Sequence, residues 1–249
     1  MNKAWDAIII GGGAAGLFCA GVAGQLGKKV LVLDHASVLG EKIRISGGGR
    51  CNFTNVHSSP ANFLSLNPHF VKSALARYPA AEFIKLIQSY RIAYHEKHQG
   101  QLFCDDSAMQ VVDMLMSECA RGNVTVRYPV NVESISQESE HWLINTDAGN
   151  EISHAVVMAT GGLPVPAIGA SAYSLDIAKQ FELEIVDPRP ALVPLSFTAD
   201  AFASLNELAG LSVPIGIESG TKKARYGACH FHEDVLITLS LIHISEPTR

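Results

Sequence analysis

Cysteine is scarce in this chain and nowhere closely paired. Five cysteines among 249 residues, Cys19, Cys51, Cys104, Cys119 and Cys229, are odd in number and carry no CxxC spacing. That excludes a disulfide framework and fits a reducing cytoplasm. Long apolar runs are missing too, none approaching the roughly 18 residues of a spanning helix. The opening MNKAWD runs directly into strand pattern, leaving no room for a signal peptide. There is no surplus of positive charge: the formal net charge of −5 argues against a nucleic-acid partner. Metal-ligand spacing is absent, because His95 with His98, and His230 with His232, stand as pairs without further ligands. What remains is a globular composition, 47% hydrophobic and 17% charged, in a length that suits one large domain or one and a half smaller ones.

Against that plain background one stretch stands out. Ile8, Ile9 and Ile10 run into Gly11-x-Gly13-x-x-Gly16, and Leu17, Phe18, Ala20 and Ala23 continue at helical spacing, so the glycines sit on a strand-to-helix turn. Side chains at the first two glycines would block the turn and keep a pyrophosphate from the backbone. One at the third would hold the helix off its strand. Ala14 and Ala15 open the helix, whose free N–H groups and positive dipole end suit phosphate. A second strand, 29–33, ends in Asp34, where a carboxylate can accept from ribose hydroxyls and repel a 2′-phosphate. FAD or NAD is therefore favoured over NADP at this site.

Two further glycine elements follow. Ser46, Gly47, Gly48 and Gly49 precede Arg50, Cys51 and Asn52, which reads as a second ligand-facing loop with a guanidinium fork for phosphate. Cys51 has no partner cysteine within the next few residues, so a packed thiol is expected rather than a dithiol couple. Helical pattern is expected across 60–100, notably 79–90, then a short strand at 101–104. A capping box formed by Ser107 and Gln110 opens a helix that ends near Gly122. After a strand at 124–127, the segments 130–136, 141–146 and 149–154 alternate as a three-stranded antiparallel meander, whereas a plain NAD domain would continue with helical crossovers. A buried strand at 155–158 ends in Thr160, Gly161 and Gly162, at the sheet edge where ligands collect. A helix at 173–181 and a strand at 183–186 complete the domain. Strands are expected again at 192–198, 213–218 and 223–229, with another entered at 236–238.

The order GGGAAG, acid, SGGGRCNFTN, meander and ATGGLPVPAIG resembles the BaiN-like flavoproteins, often labelled aminoacetone oxidases or NAD(P)/FAD-dependent oxidoreductases, of the two-dinucleotide-binding-domain group. This resemblance implies an α/β fold: a Rossmann-like FAD-binding domain over 1–188, with a parallel sheet plus an antiparallel meander, and the start of an inserted β-rich domain over 189–238. It implies noncovalent FAD with its pyrophosphate at Gly11, Gly13 and Gly16 and its ribose at Asp34. The Ser46 to Asn52 loop would lie near the flavin, the strand around Val132 near adenine, and Thr160 to Gly162 would close the site. Relatives often carry Glu in place of Asp34, and Lys-Lys where this chain has Glu41 and Lys42. The implied activity is hydride or electron transfer between a small organic substrate and an acceptor such as NAD(P) or O2. NAD(P)H is a candidate donor, although no second GxGxxG fingerprint is present.

No residue is an evident general acid or base. An NAD-dependent dehydrogenase without flavin and a flavin-binding sensor or RNA-associated protein without turnover are the competing readings. Residues 239–249 resemble the translation of a transposon-end adaptor, so the genuine sequence is expected to stop near Thr238, short of the family's C-terminal segment that completes the flavin pocket. Such a fragment is expected to be inactive.

Overall fold

The structure, a computed structural model, describes residues 4–63, 65 and 67–188, together with the backbone of two strands at Ser212–Ile215 and Val235–Thr238. Strand β1 (Ala7–Ile10) passes through the glycine turn into α1 (Ala14–Gln25) and returns as β2 (Val30–Leu33). Residues 34–124 then make a long excursion holding α2 (Glu41–Ile45), β3 (Asn52–Asn55), α3 (Lys72–Arg77), α4 (Ala80–Ser89), β4 (Tyr94–Glu96), β5 (Gln101–Cys104) and α5 (Met109–Arg121). The chain re-enters as β6 (Thr125–Arg127), folds β7 (Val132–Glu138), β8 (His141–Thr146) and β9 (Gly149–Ser153), and adds β10 (Val156–Met158) before α6 (Tyr173–Gln180). β10, β1, β2 and β6 form a parallel sheet in that order, and β7, β8 and β9 form the expected meander. The fold is α/β and Rossmann-like.

Residue alternation along the strands sorts two cores. Ile9, Val30 and Val32 face a cluster with Leu17, Ala20, Val111, Leu115 and Cys119 from α1 and α5. Ile8, Ile10, Leu31 and Leu33 face the other way, onto Ile135 and Ile144 of the meander and Tyr173 and Phe181 at α6. Both faces of the sheet are therefore covered, as parallel sheets require, and each fully buried aliphatic side chain stabilises the fold by about 1.5–3 kcal/mol relative to exposure. Small residues bring α1 against α5. A Cβ on Gly122 would lie 2.8 Å from the Gln25 nitrogen, and the Cys119 thiol reaches the Leu17 carbonyl at 3.3 Å. Glu118, between these helices, accepts from Tyr90 at 2.6 Å, Gln25 at 2.8 Å and Arg121 at 2.7 Å.

Several expectations need correction. Ser107 accepts from the Met109 amide at 3.1 Å, but Gln110 leaves its side-chain oxygen buried and unpartnered, so only half of that capping box forms. A full box occurs instead at Ser59 and Asn62, around Pro60. The stretch 60–100 is not helical throughout: β4 pairs with β5, which pairs with β3, in a small antiparallel sheet. No strand forms at 183–186. Glu182 turns the chain at φ +56°, and Leu183 and Val186 are exposed.

The chain divides into two compact units, residues 1–185 and 186–249. In the second, β11 (Ser212–Ile215) and β12 (Val235–Thr238) pair antiparallel, Ser212 opposite Thr238. The strands expected at 192–198 and 223–229, His230 and His232, and residues 239–249 lie outside the described residues.

Candidate functional site

The carboxyl ends of β1, β2 and β10 open onto a crevice of about 770 Å³, well within the size of small-molecule sites. Gly11 lines it at φ +113°, and a Cβ there would lie 2.6 Å from the Ala159 carbonyl carbon. Gly16 cannot carry a side chain either, since its Cβ would overlap the Gly11 carbonyl. Gly13 is different. It caps α1 with an ordinary φ of −85°, and a Cβ there would meet nothing within 4 Å. The expectation that a side chain at Gly13 blocks the turn is thus corrected: it would project into the crevice, into space this chain leaves empty. Leu17 donates to the Gly13 carbonyl at 3.0 Å, so the amides of Ala14 and Ala15, both lining the crevice, precede that helical bond. No acidic residue lies in the first turn to offset the helix dipole there.

Asp34 stands at the tip of β2 as expected and also braces the turn. One carboxylate oxygen accepts a short hydrogen bond from the Gly12 amide and the other accepts from Ala36 at 2.7 Å. Each oxygen keeps a lone pair for a further donor. Val132, Thr160 and Gly161 also line the crevice. Gly162 does not, but its carbonyl accepts from Lys42 Nζ at 3.1 Å, tying α2 to the loop after β10. Two polar atoms have no partner among the described residues: the Thr160 and Tyr173 hydroxyls are buried without a hydrogen bond, and both residues line the crevice. Burial raises the Tyr173 phenol above its usual range, so it stays protonated and able to donate. Nothing in the sequence marked Tyr173. It lies at the start of a predicted helix, where an aromatic reads as core. An amide-lined helix start, an open space at Gly13 and two unsatisfied hydroxyls are what a dinucleotide would complete, and the residues present fit one.

Ser46, Gly47, Gly48, Arg50, Cys51 and Asn52 do not line this crevice. Ser46 donates to the Ile43 carbonyl at 2.7 Å. Gly47 turns at φ +58° because a Cβ would strike the Phe103 ring and the Asn52 nitrogen. Gly48 faces open space. The Arg50 guanidinium makes a short bond to the Asp105 carbonyl, and Asn52 pairs with Phe103 in the small sheet. In the structure this loop packs against β5 through Gly47, while Gly48 and Gly49 turn at φ +66° and +83° with no crowding of a Cβ there. Cys51 is a buried thiol raised by burial, with Ser46 partly offsetting. Cys104 is pushed up to about 11 by burial and then by Cys51 nearby. Both are neutral, packed thiols. His95 pairs with Asp105 at 2.7 Å and stacks on Phe103.

Comparison with known sequences now has a site to attach to. The family described as HI0933-like protein Rossmann domain matches residues 5–239. The chain belongs to this family. It is 46% identical over 236 residues to the ribosomal RNA dihydrouridine synthase of Escherichia coli (strain K12), covering 94% of this chain and 57% of that protein. It is 44% identical over 257 residues to the ribosomal RNA dihydrouridine synthase of Haemophilus influenzae, covering 100% of this chain and 64% of that protein. A 3-dehydro-bile acid delta(4,6)-reductase of Clostridium scindens is 26% identical over 198 residues, 78% of this chain and 48% of that protein. The chain spans about three fifths of the length of the two relatives it matches at higher identity. The BaiN-like resemblance thus holds at the level of the family, while those two relatives carry a different named activity. Among the described residues no helix is long and apolar enough to cross a membrane.

Proposed function

We propose that this chain is the dinucleotide-binding part of an FAD-dependent oxidoreductase that reduces a carbon–carbon double bond conjugated to a carbonyl, in a uridine base of ribosomal RNA. The observation that carries the cofactor reading is the crevice: a helix start formed by Ala14 and Ala15, an aspartate at the neighbouring strand tip, and room in front of Gly13, where a Cβ would meet nothing within 4 Å. Ala14 and Ala15 would hold the diphosphate, Asp34 a ribose, and Thr160 and Tyr173 would give their unpartnered hydroxyls to the same ligand. Bound there, FAD supplies two-electron hydride chemistry, which the protein's own side chains lack.

The substrate reading is supported by what the relatives' names share. Dihydrouridine differs from uridine by two hydrogens across a double bond conjugated to a ring carbonyl. A delta(4,6) reductase of a 3-dehydro bile acid is named for double bonds conjugated with its ketone. In uridine the hydride would add to the far carbon of the double bond and a proton to the carbon next to the carbonyl. The negative net charge counted against nucleic acid. It describes a chain that spans only part of its relatives, and it averages over regions of opposite sign.

The test is the spectrum and the product of the full-length protein. Purified protein is expected to show flavin absorbance, and with NADH or NADPH to add two hydrogens to a uridine in unmodified ribosomal RNA, read by mass spectrometry of nuclease digests. A colourless preparation that FAD cannot reconstitute would end the cofactor reading. A flavoprotein that leaves ribosomal RNA unchanged would end the substrate reading alone.

A further inference from the structure

Charge is distributed unevenly along the chain. Residues 42–98 hold eight of its nineteen Lys and Arg, four of its ten His, and only two of its twenty-four Asp and Glu. These residues form most of the excursion between β2 and β6, which packs Ile43, Cys51, Ile87 and Ile92 into the first core and turns its charged side chains outward. Elsewhere the ion pairs balance, as in Arg121 with Glu118 and Arg127 with Glu151. Within the excursion Lys85 pairs with Glu82, Lys42 is held by Gly162, and Arg50 by Asp105. Lys72, Arg77 and Arg91 are exposed and have no carboxylate partner among the described residues. Large rings are exposed between and beside them: Phe70 at 79%, Phe63 at 46% and Tyr78 at 38%.

A solvated surface on an acidic chain would mix both signs and hide its rings. Predominantly positive charge in a stretch with exposed aromatics suits an unpaired polynucleotide, whose phosphates take the cations and whose bases stack on the rings. We infer that the outer surface of residues 56–98, with Lys72, Arg77, Arg91, Phe63 and Phe70 as its contacts, is the docking surface for single-stranded segments of ribosomal RNA. This rests on the substrate reading above, and it adds where the RNA is held. An anionic membrane would also answer the charge, but phospholipid headgroups offer nothing for the rings to stack on.

The experiment uses the full-length protein with FAD bound and a fluorescein-labelled single-stranded RNA copied from bacterial ribosomal RNA, titrated by anisotropy over a salt series. The triple variant Lys72→Gln, Arg77→Gln, Arg91→Gln is expected to bind at least about 10-fold more weakly and to lower the log–log salt slope by about 2, at roughly 0.7 per lost phosphate contact. Phe70→Ala is expected to weaken binding about 5-fold with the slope unchanged. Arg121→Gln, outside the surface, is expected to leave RNA binding as it was. A triple variant with wild-type affinity and slope would overturn the docking surface, as would equal binding of the wild type to phosphatidylglycerol vesicles. Flavin absorbance is read on every sample. Its absence from the wild type would count against the cofactor, while the salt slopes still decide the surface.

Discussion

The glycine turn and the basic excursion sit in one chain, and they use the same residue types to opposite ends. At the turn, Gly11 and Gly16 exist because neighbouring backbone leaves no room, and Gly13 exists although nothing of the protein's own fills its place. In the excursion, Gly47 makes room for Phe103, while rings at Phe63 and Phe70 stay exposed. Steric demand from within the fold can thus be separated, residue by residue, from space kept for something outside it.

That separation can be broken by mutation. The largest effect is expected at Gly16→Val, which drives a side chain into the Gly11 carbonyl: a loss of about 3 kcal/mol or more, read by thermal or urea unfolding. Gly13→Leu should leave the melting temperature within a few degrees yet weaken FAD binding by on the order of 100-fold, measured by fluorescence titration. If both variants unfold alike, the distinction between the two glycines fails. Glu118→Gln should cost about 1–2 kcal/mol at pH 7. Burial pushes this carboxyl up, but hydrogen bonds from Tyr90, Gln25 and Arg121 and the Arg121 charge outweigh it and hold it below its usual range. A depressed folded pKa contributes stability above the unfolded value, about 4.3, and loses it as pH falls through the folded value. The gap between wild type and variant should therefore close below about pH 4. Tyr173→Phe removes only a hydroxyl without a protein partner, so FAD affinity should fall about 5-fold while unfolding stays unchanged or improves. The smallest effect is expected at Phe70→Ser, within about 0.5 kcal/mol of wild type in stability. A large loss there would show that the ring is core.

What could be read from the residues alone follows from how local each signal is. The turn, its helix and Asp34 lie within 28 residues of sequence, and the unbroken apolar runs Ile8 to Ile10 and Val30 to Leu33 suit a sheet buried on both sides. The meander was legible for the same reason, with neighbouring strands pairing in order. The β3–β5–β4 sheet was not. Asn52–Asn55 has the composition of a loop, Tyr94–Glu96 is polar, and their shared partner becomes visible only when the chain folds back. The SGGGRCN segment reads as a ligand loop because three glycines in a row have two physical uses, and only coordinates separate Gly47, under Phe103, from Gly48, which stays open. Tyr173 could not be singled out, since an orphaned hydroxyl is a property of its surroundings. The basic stretch was in plain view but was averaged away by a single net charge.

One topological fact has a practical side. β2 and β6 are parallel neighbours in the sheet, so the excursion leaves at the carboxyl end of one and returns at the amino end of the other, a single crossover between adjacent strands. A segment joined to its host only at these two strand ends can be lengthened, trimmed or exchanged for another while the sheet keeps its strand order, because closing a longer loop costs little more than closing a shorter one. Proteins sharing this cofactor scaffold can therefore change what they grip by rewriting a single crossover.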